Sequence, residues 1–197
     1  TLGLRGSFDP IEDWTVALEG AFQVGQKVAI DGQLFERNRE AFAIDAMVEC
    51  RYFQDDYAWK PVLGAEYIFY SGEDDMGSIA AGSVGDWEEW QNVFYRTAQN
   101  LNPSYTNQHQ IILRASVEPT DSLTVEALYA HFWLHKAYVS NVPNRNSDSL
   151  NLGDEIDLSL TWDYTEDVSF NLLSAWFIPG KHFVSNLDDV ATDLVGT

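Results

Sequence analysis

The sequence predicts an all-β protein, a transmembrane antiparallel up-and-down β-barrel of which about eight strands are visible, on three observations. Eight segments alternate apolar and polar residues with period two: 1–8, 14–26, 41–54, 61–71, 107–118, 122–136, 154–165 and 168–178. Several are longer than a globular strand, which averages about 5–6 residues, and reach the roughly 9–11 that a membrane-crossing strand needs. The connections alternate short and long, the asymmetry of barrels with tight turns on one side of a membrane and long loops on the other.

Taken in order, 1–8 and 14–26 are joined by DPIED, and 41–54 and 61–71 by DDYAWK. Segments 107–118 and 122–136 share a turn around PTD, and 154–165 and 168–178 one around EDV. The long connections cover 27–40, 72–106 and 137–153. Within the second segment Trp14, Val16, Leu18, Phe22 and Val24 fall on one parity, and Glu19 and Gln23 on the other. The third sets Phe42, Ile44, Ala46, Val48, Cys50 and Tyr52 against Asp45, Glu49 and Arg51, and the fourth sets Leu63, Ala65, Tyr67 and Phe69 against Glu66. The fifth separates Ile111, Leu113, Ala115 and Val117 from Gln108, Gln110, Arg114, Ser116 and Glu118. The sixth, LTVEALYAHFWLHK, carries Glu126 but has aromatics on both parities at its end, so its faces stay unassigned. In the seventh, Ile156, Leu158, Leu160, Trp162 and Tyr164 oppose Glu155, Asp157 and Asp163. The eighth opposes Val168, Phe170, Leu172, Trp176 and Ile178 to Asn171. Aromatics gather near strand ends, as interfacial girdles do. Burying so many unpaired ions in a dry core would cost several kcal/mol each. The polar face is therefore expected to see water or opposing charge, and the apolar face lipid.

Composition narrows the function. The 197 residues carry 31 acids against 11 bases, a net charge of -20, which argues against a nucleic-acid partner. Aromatics at 14% argue against disorder. Cys50 is the one cysteine, so no internal disulfide and no zinc spacing exist; it reads as a small packed hydrophobe. No apolar run is long enough for a transmembrane helix. No G-x-S-x-G, P-loop or dinucleotide fingerprint occurs, so neither an enzyme nor a cofactor is expected.

The candidate functional residues are those that would line a pore: Arg5, Glu19, Asp45, Glu49, Arg51, Glu66, Arg114, Glu118, Glu126, Glu155, Asp157 and Asp163. Acids outnumber bases among them. Arg114 and Glu126 are expected to pair across neighbouring strands. Glu155 and Asp157 are roughly 6.5–7 Å apart by strand rise, near a glycosidase separation, but read better as a charge ladder with no third catalytic group. GEDDMG offers Glu73, Asp74 and Asp75 as a weak Ca²⁺ candidate, more readily a solvated acidic loop. His131 and His135, four apart, lack a third metal ligand. The first strand starts, and the last ends, on the long-loop side. A single-chain barrel has its ends on the other side, so 1–197 is expected to be one β-barrel domain, incomplete at both ends.

Several stretches in order resemble the C-terminal half of the bacterial alginate export family. They are LRGSF near the start, KPVLGAEYIFYSGEDD (60–75), NVFYRTAQNL (92–101), LTVEALYAHFWLHKA (123–137) and LGDEIDLSLTWDYTEDVSFNLLSAWFIPG (152–180). GDEIDL followed by a strand, a short turn and a strand ending F-x-P-G is the most specific element. The resemblance implies an outer-membrane porin or exporter of a Gram-negative bacterium, passing a polysaccharide or small polar solute by diffusion. It implies outer-membrane lipid and an anionic polysaccharide, alginate in the family's name, as partners. For a polyanion, arginines at a constriction are the physical expectation; Arg5, Arg51 and Arg114, with Arg96 in the long loop, are the bases on offer. The alternative from another class is a soluble all-β carbohydrate-binding module.

Overall fold

A computed structural model describes residues 1–28, 36–51, 56–72, 106–137 and 149–184. It consists of eight strands and one short helix: β1 (Leu2–Ile11), β2 (Trp14–Val28), β3 (Glu36–Cys50), β4 (Val62–Tyr70), β5 (Gln108–Thr120), β6 (Leu123–Leu134), β7 (Asn151–Thr165), β8 (Val168–Pro179) and α1 (Lys181–Val184). The strands form one sheet in chain order, each antiparallel to the next. The fold is all-β and up-and-down, and among the described residues β1 and β8 are the two edges of the sheet.

The alternation sets the faces. Along one ladder row Arg5, Glu19, Asp45, Ile68, Gln110 and Phe132 stand side by side. The next rows hold Met47, Glu66, Ile112, Ala130, Glu155 and Phe177, then Glu49, Gly64, Arg114, Leu128, Asp157 and Ala175. We call this the inner face. The outer face carries large exposed apolar side chains, from Leu4 (84% exposed) through Leu18, Ile44 and Leu113 to Leu172 (69%). Aromatics flank this band. At the short-turn end Tyr57 meets Trp59 at 5.2 Å, and Trp162 meets Tyr164 at 5.3 Å. At the other end Phe42 meets Phe69 at 5.2 Å, and His109 stacks on Trp133 at 5.0 Å. On β7 the outer residues run from Asp154 to Tyr164, roughly 33 Å of strand, or about 25 Å of height at a tilt of about 40°. That is the height of a barrel's lipid-facing band.

Two sequence expectations need correction. The connection 27–40 is not a long loop: β2 and β3 stay paired out to Val28 opposite Glu36, leaving only 29–35 between them. The supposedly tight link after β3 spans 51–61, so short and long do not alternate without exception. In the sequence, Gln26, Lys27, Arg37 and Asn38 interrupt the apolar alternation and so hide a backbone pairing that continues through them. Of the expected third strand, 52–54 lie outside the described residues.

The other hairpins turn at Glu12–Asp13, Asp121–Ser122 and Glu166–Asp167. Each has a register shift just before its turn, at Phe8/Ile11, Val117/Thr120 and Asp163/Thr165. Bulges collect at barrel rims because an extra residue bends a strand where pairing ends. A fourth shift, at Phe132/Trp133, admits Leu152 into the inner face. Beside it Gly153 takes φ +131, and a Cβ there would overlap the Ile178 carbonyl. Gly180 is equally confined against Asn151 and donates its N–H to Leu152 O at 2.9 Å. The two glycines of the GDEIDL…FIPG element thus serve a close backbone approach.

Beyond the paired strands the long-loop end is closed by a buried polar clasp. Asn107, at φ 52 in the left-handed region Asn tolerates, donates its N–H to Ser71 O at 3.0 Å. Its side chain bonds Lys136 O and Lys136 N, each at 3.0 Å, and Ser71 Oγ accepts Phe42 N–H at 3.0 Å. At this end the inner face also holds an apolar cluster, beside the buried Gln23, Gln108 and Gln110. Ala41, Ala43, Ile68, Tyr70, Phe132 and Leu134 form a buried cluster, against which Phe177 of β8 and Phe183 of α1 pack.

Candidate functional site

The inner face gathers the charged residues. Arg5, Glu19 and Asp45 share one row; Glu49, Arg114 and Asp157 share another. Their surroundings differ from expectation. Asp45 is fully buried and Glu66, Glu155 and Asp157 nearly so, rather than open to water. In the ladder, Met47 and Ile112 flank Glu66, and Ala130 and Phe177 flank Glu155. Arg5 and Asp163, near the sheet's edges, are exposed.

The arginine partnership also differs. Register places Arg114 opposite Gly64 and Leu128, while Glu126 stands opposite Ser116. The Arg114 guanidinium therefore turns to β4 and bonds Glu66 Oε2 at 2.8 Å, and the expected Arg114–Glu126 pair is not made. Both residues still line one cavity of ≈ 170 Å³, with Glu49, Ser116, Asp157 and Ser159. Alternation identifies faces but not which residues stand opposite, so the sequence could not choose between the two glutamates.

Arg51 lies past the end of β3, at the short-turn rim. Its guanidinium bonds Glu49 at 2.7 Å and its N–H the Asp13 carbonyl. Glu118 is also at this rim, 3.1 Å from Lys60 Nζ. Sequence reading missed Lys60, whose ammonium is held above its usual range by the hydrogen bond and charge of Glu118. Its place in the third connection, with φ 43, gave no periodic signal.

The histidines sit elsewhere. His109, His131 and Trp133 are on the outer face at the long-loop end. His131 Nδ1 is 2.8 Å from Asp154 Oδ1, which also accepts the Tyr129 hydroxyl at 2.6 Å. His135 meets His109 at 3.1 Å instead of joining His131. Among the described residues no three His, Cys, Asp or Glu side chains converge to hold a metal. Such amphipathic rings suit the level of lipid headgroups. The Ca²⁺ candidates Glu73, Asp74 and Asp75, and Arg96, lie outside the described residues. Cys50 is buried and free.

Among the described residues the arrangement is a wall with large apolar side chains outside and charged ones inside. A search of curated proteins found none that matches. A family model described as Alginate export matches residues 1–197. With its meander of eight strands and that match over its whole length, the chain belongs to the alginate export family, whose role is outer-membrane export through a β-barrel porin.

Proposed function

We propose that this chain forms wall of a water-filled barrel in the outer membrane of a Gram-negative bacterium, and that a polysaccharide or smaller polar solute crosses it by passive diffusion. One observation carries the reading: burial is inverted. Leu4, Leu18, Phe22, Leu158 and Leu172 are exposed on the outer face, while Asp45, Glu66, Glu155 and Asp157 are buried on the inner one. Water on the outside would penalise that arrangement, and lipid favours it. The open edges at β1 and β8 support a wall completed by further strands, since unpaired backbone groups are not tolerated in hydrocarbon. Arg5 and Arg114 would attract anionic groups of a solute, and the surrounding acids would set the opposing field.

The test is the full-length protein in planar lipid bilayers. Stepwise conductance is expected, and neutralising Glu155 and Asp157 should shift the reversal potential toward anions. A protein that stays monomeric in plain buffer, with no binding of a hydrophobic dye, would instead support the soluble carbohydrate-binding module.

A further inference from the structure

Directly after β8 the chain bends onto the sheet. Pro179, the last residue of β8 paired with β7, has no N–H to carry the ladder further. Gly180 donates its N–H to Leu152 O at 2.9 Å, and a Cβ at Gly180 would overlap Asn151. The bend lays α1 on β7 as well as on β8. Its single turn is closed by Phe183 N–H, which donates to the Gly180 carbonyl at 3.0 Å.

The side on which α1 lies is the inner one. Phe183 packs against the inner-face cluster and meets Phe177 edge-on, with ring centroids 6.3 Å apart. His182 is fully buried, and its Nδ1–H donates to the Ser149 carbonyl at 3.0 Å, since a carbonyl can only accept. Lys181 stays exposed. A helical turn with its side chains is about 10–12 Å across, whereas neighbouring strands are about 4.8 Å apart. α1 therefore stands out from the wall instead of extending it.

We propose that α1 is a fixed ledge that narrows the pore at its long-loop end. His182 and Phe183 hold the ledge against the wall and so set the size of solute that passes. The ledge rests on the reading of the inner face as the solute path. It adds selection by bulk at one end of a wall where Arg5 and Arg114 select by charge.

Two measurements on the full-length protein in planar lipid bilayers test it. Lys181→Cys, treated with a bulky water-soluble thiol reagent, is expected to lose roughly a third or more of its open-channel current, because the added bulk stands in the bore. Glu166→Cys, in the β7–β8 turn at the opposite end, is expected to change little. The unmodified protein, whose Cys50 is buried, is expected to keep its current. The double variant H182A/F183A is expected to conduct roughly 1.5-fold more than the unmodified protein and to admit larger polyethylene glycols, since the ledge is no longer held. Gel mobility of unheated samples checks that the barrel is folded. Should the double variant not fold, the current through Lys181→Cys decides alone. In a protein that conducts, an unchanged current after modification of Lys181→Cys overturns the ledge and keeps the pore, as does an unchanged size limit in the double variant. Absence of conductance in both the unmodified protein and the double variant overturns the pore reading, and the ledge with it.

Discussion

Along β7 the same strand faces two solvents. Outward, Ile156, Leu158, Leu160 and Trp162 are exposed. Inward, Glu155 and Asp157 are buried, Ser159 and Thr161 half-buried, and only Asp163 near the turn is open. In a soluble sheet the apolar set would be the buried one. The difference shows that exposure alone does not identify a surface: what matters is which side chains the surroundings reward. On the outer face each residue acts almost independently against lipid. On the inner face residues act in pairs and networks, so substitutions there depend on what they leave behind.

That contrast can be broken most strongly at the ion pair. Arg114→Ala deprives the buried Glu66 of its guanidinium and is expected to destabilise the folded barrel by about 3–5 kcal/mol, read from urea unfolding in lipid vesicles. Arg114→Lys, keeping the charge but not the fork, should fall between. Next comes the outer face: Leu158→Arg, near mid-height, should cost about 2–4 kcal/mol, whereas the same change close to a rim at Val168 should cost about 0–1. Equal costs at the two heights, measured by the same unfolding, would remove lipid as the outer solvent. Asn107→Ala leaves the Lys136 N–H and carbonyl without their side-chain partner and should cost about 1–3 kcal/mol. Faster amide exchange at Lys136 would locate that loss at the clasp. Smallest is Asp163→Asn, exposed and near a turn, expected within about 0.5 kcal/mol of the unmodified protein.

The ease of reading the sequence follows the same division. β7 was legible because acids or small polar residues alternate with large apolar ones from Glu155 to Tyr164, and β5 and β8 followed the same period more loosely, with adjacent apolar residues at Ile111–Ile112 and Leu172–Leu173. β6 was not, since Leu128, Ala130, Phe132 and Leu134 face the apolar inner cluster while Tyr129, His131 and Trp133 face out. When both sides of a strand favour apolar or aromatic residues, period two carries no information about direction. The inner partnerships were hidden for another reason. Whether Arg114 reaches Glu66 or Glu126 depends on cross-strand register, which turn geometry sets and alternation leaves open. The clasp around Asn107 left only a Gly and an Asn at loop edges, and Lys60 only a base in an irregular connection.

The chain-order meander also bears on how the molecule forms. Most neighbouring strands are linked by short stretches, so their pairing is local and fast, each hairpin offering an edge to the next. The join between β4 and β5 is the longest, because residues 71–107 separate them, against 135–150 between β6 and β7. Closing a loop costs about 0.6 kcal/mol more for each doubling of its length, and the time needed to find the partner grows with it. β1–β4 and β5–β8 therefore make natural assembly halves. Ser71 and Asn107, hydrogen-bonded across that join, are placed to latch one half onto the other once they meet.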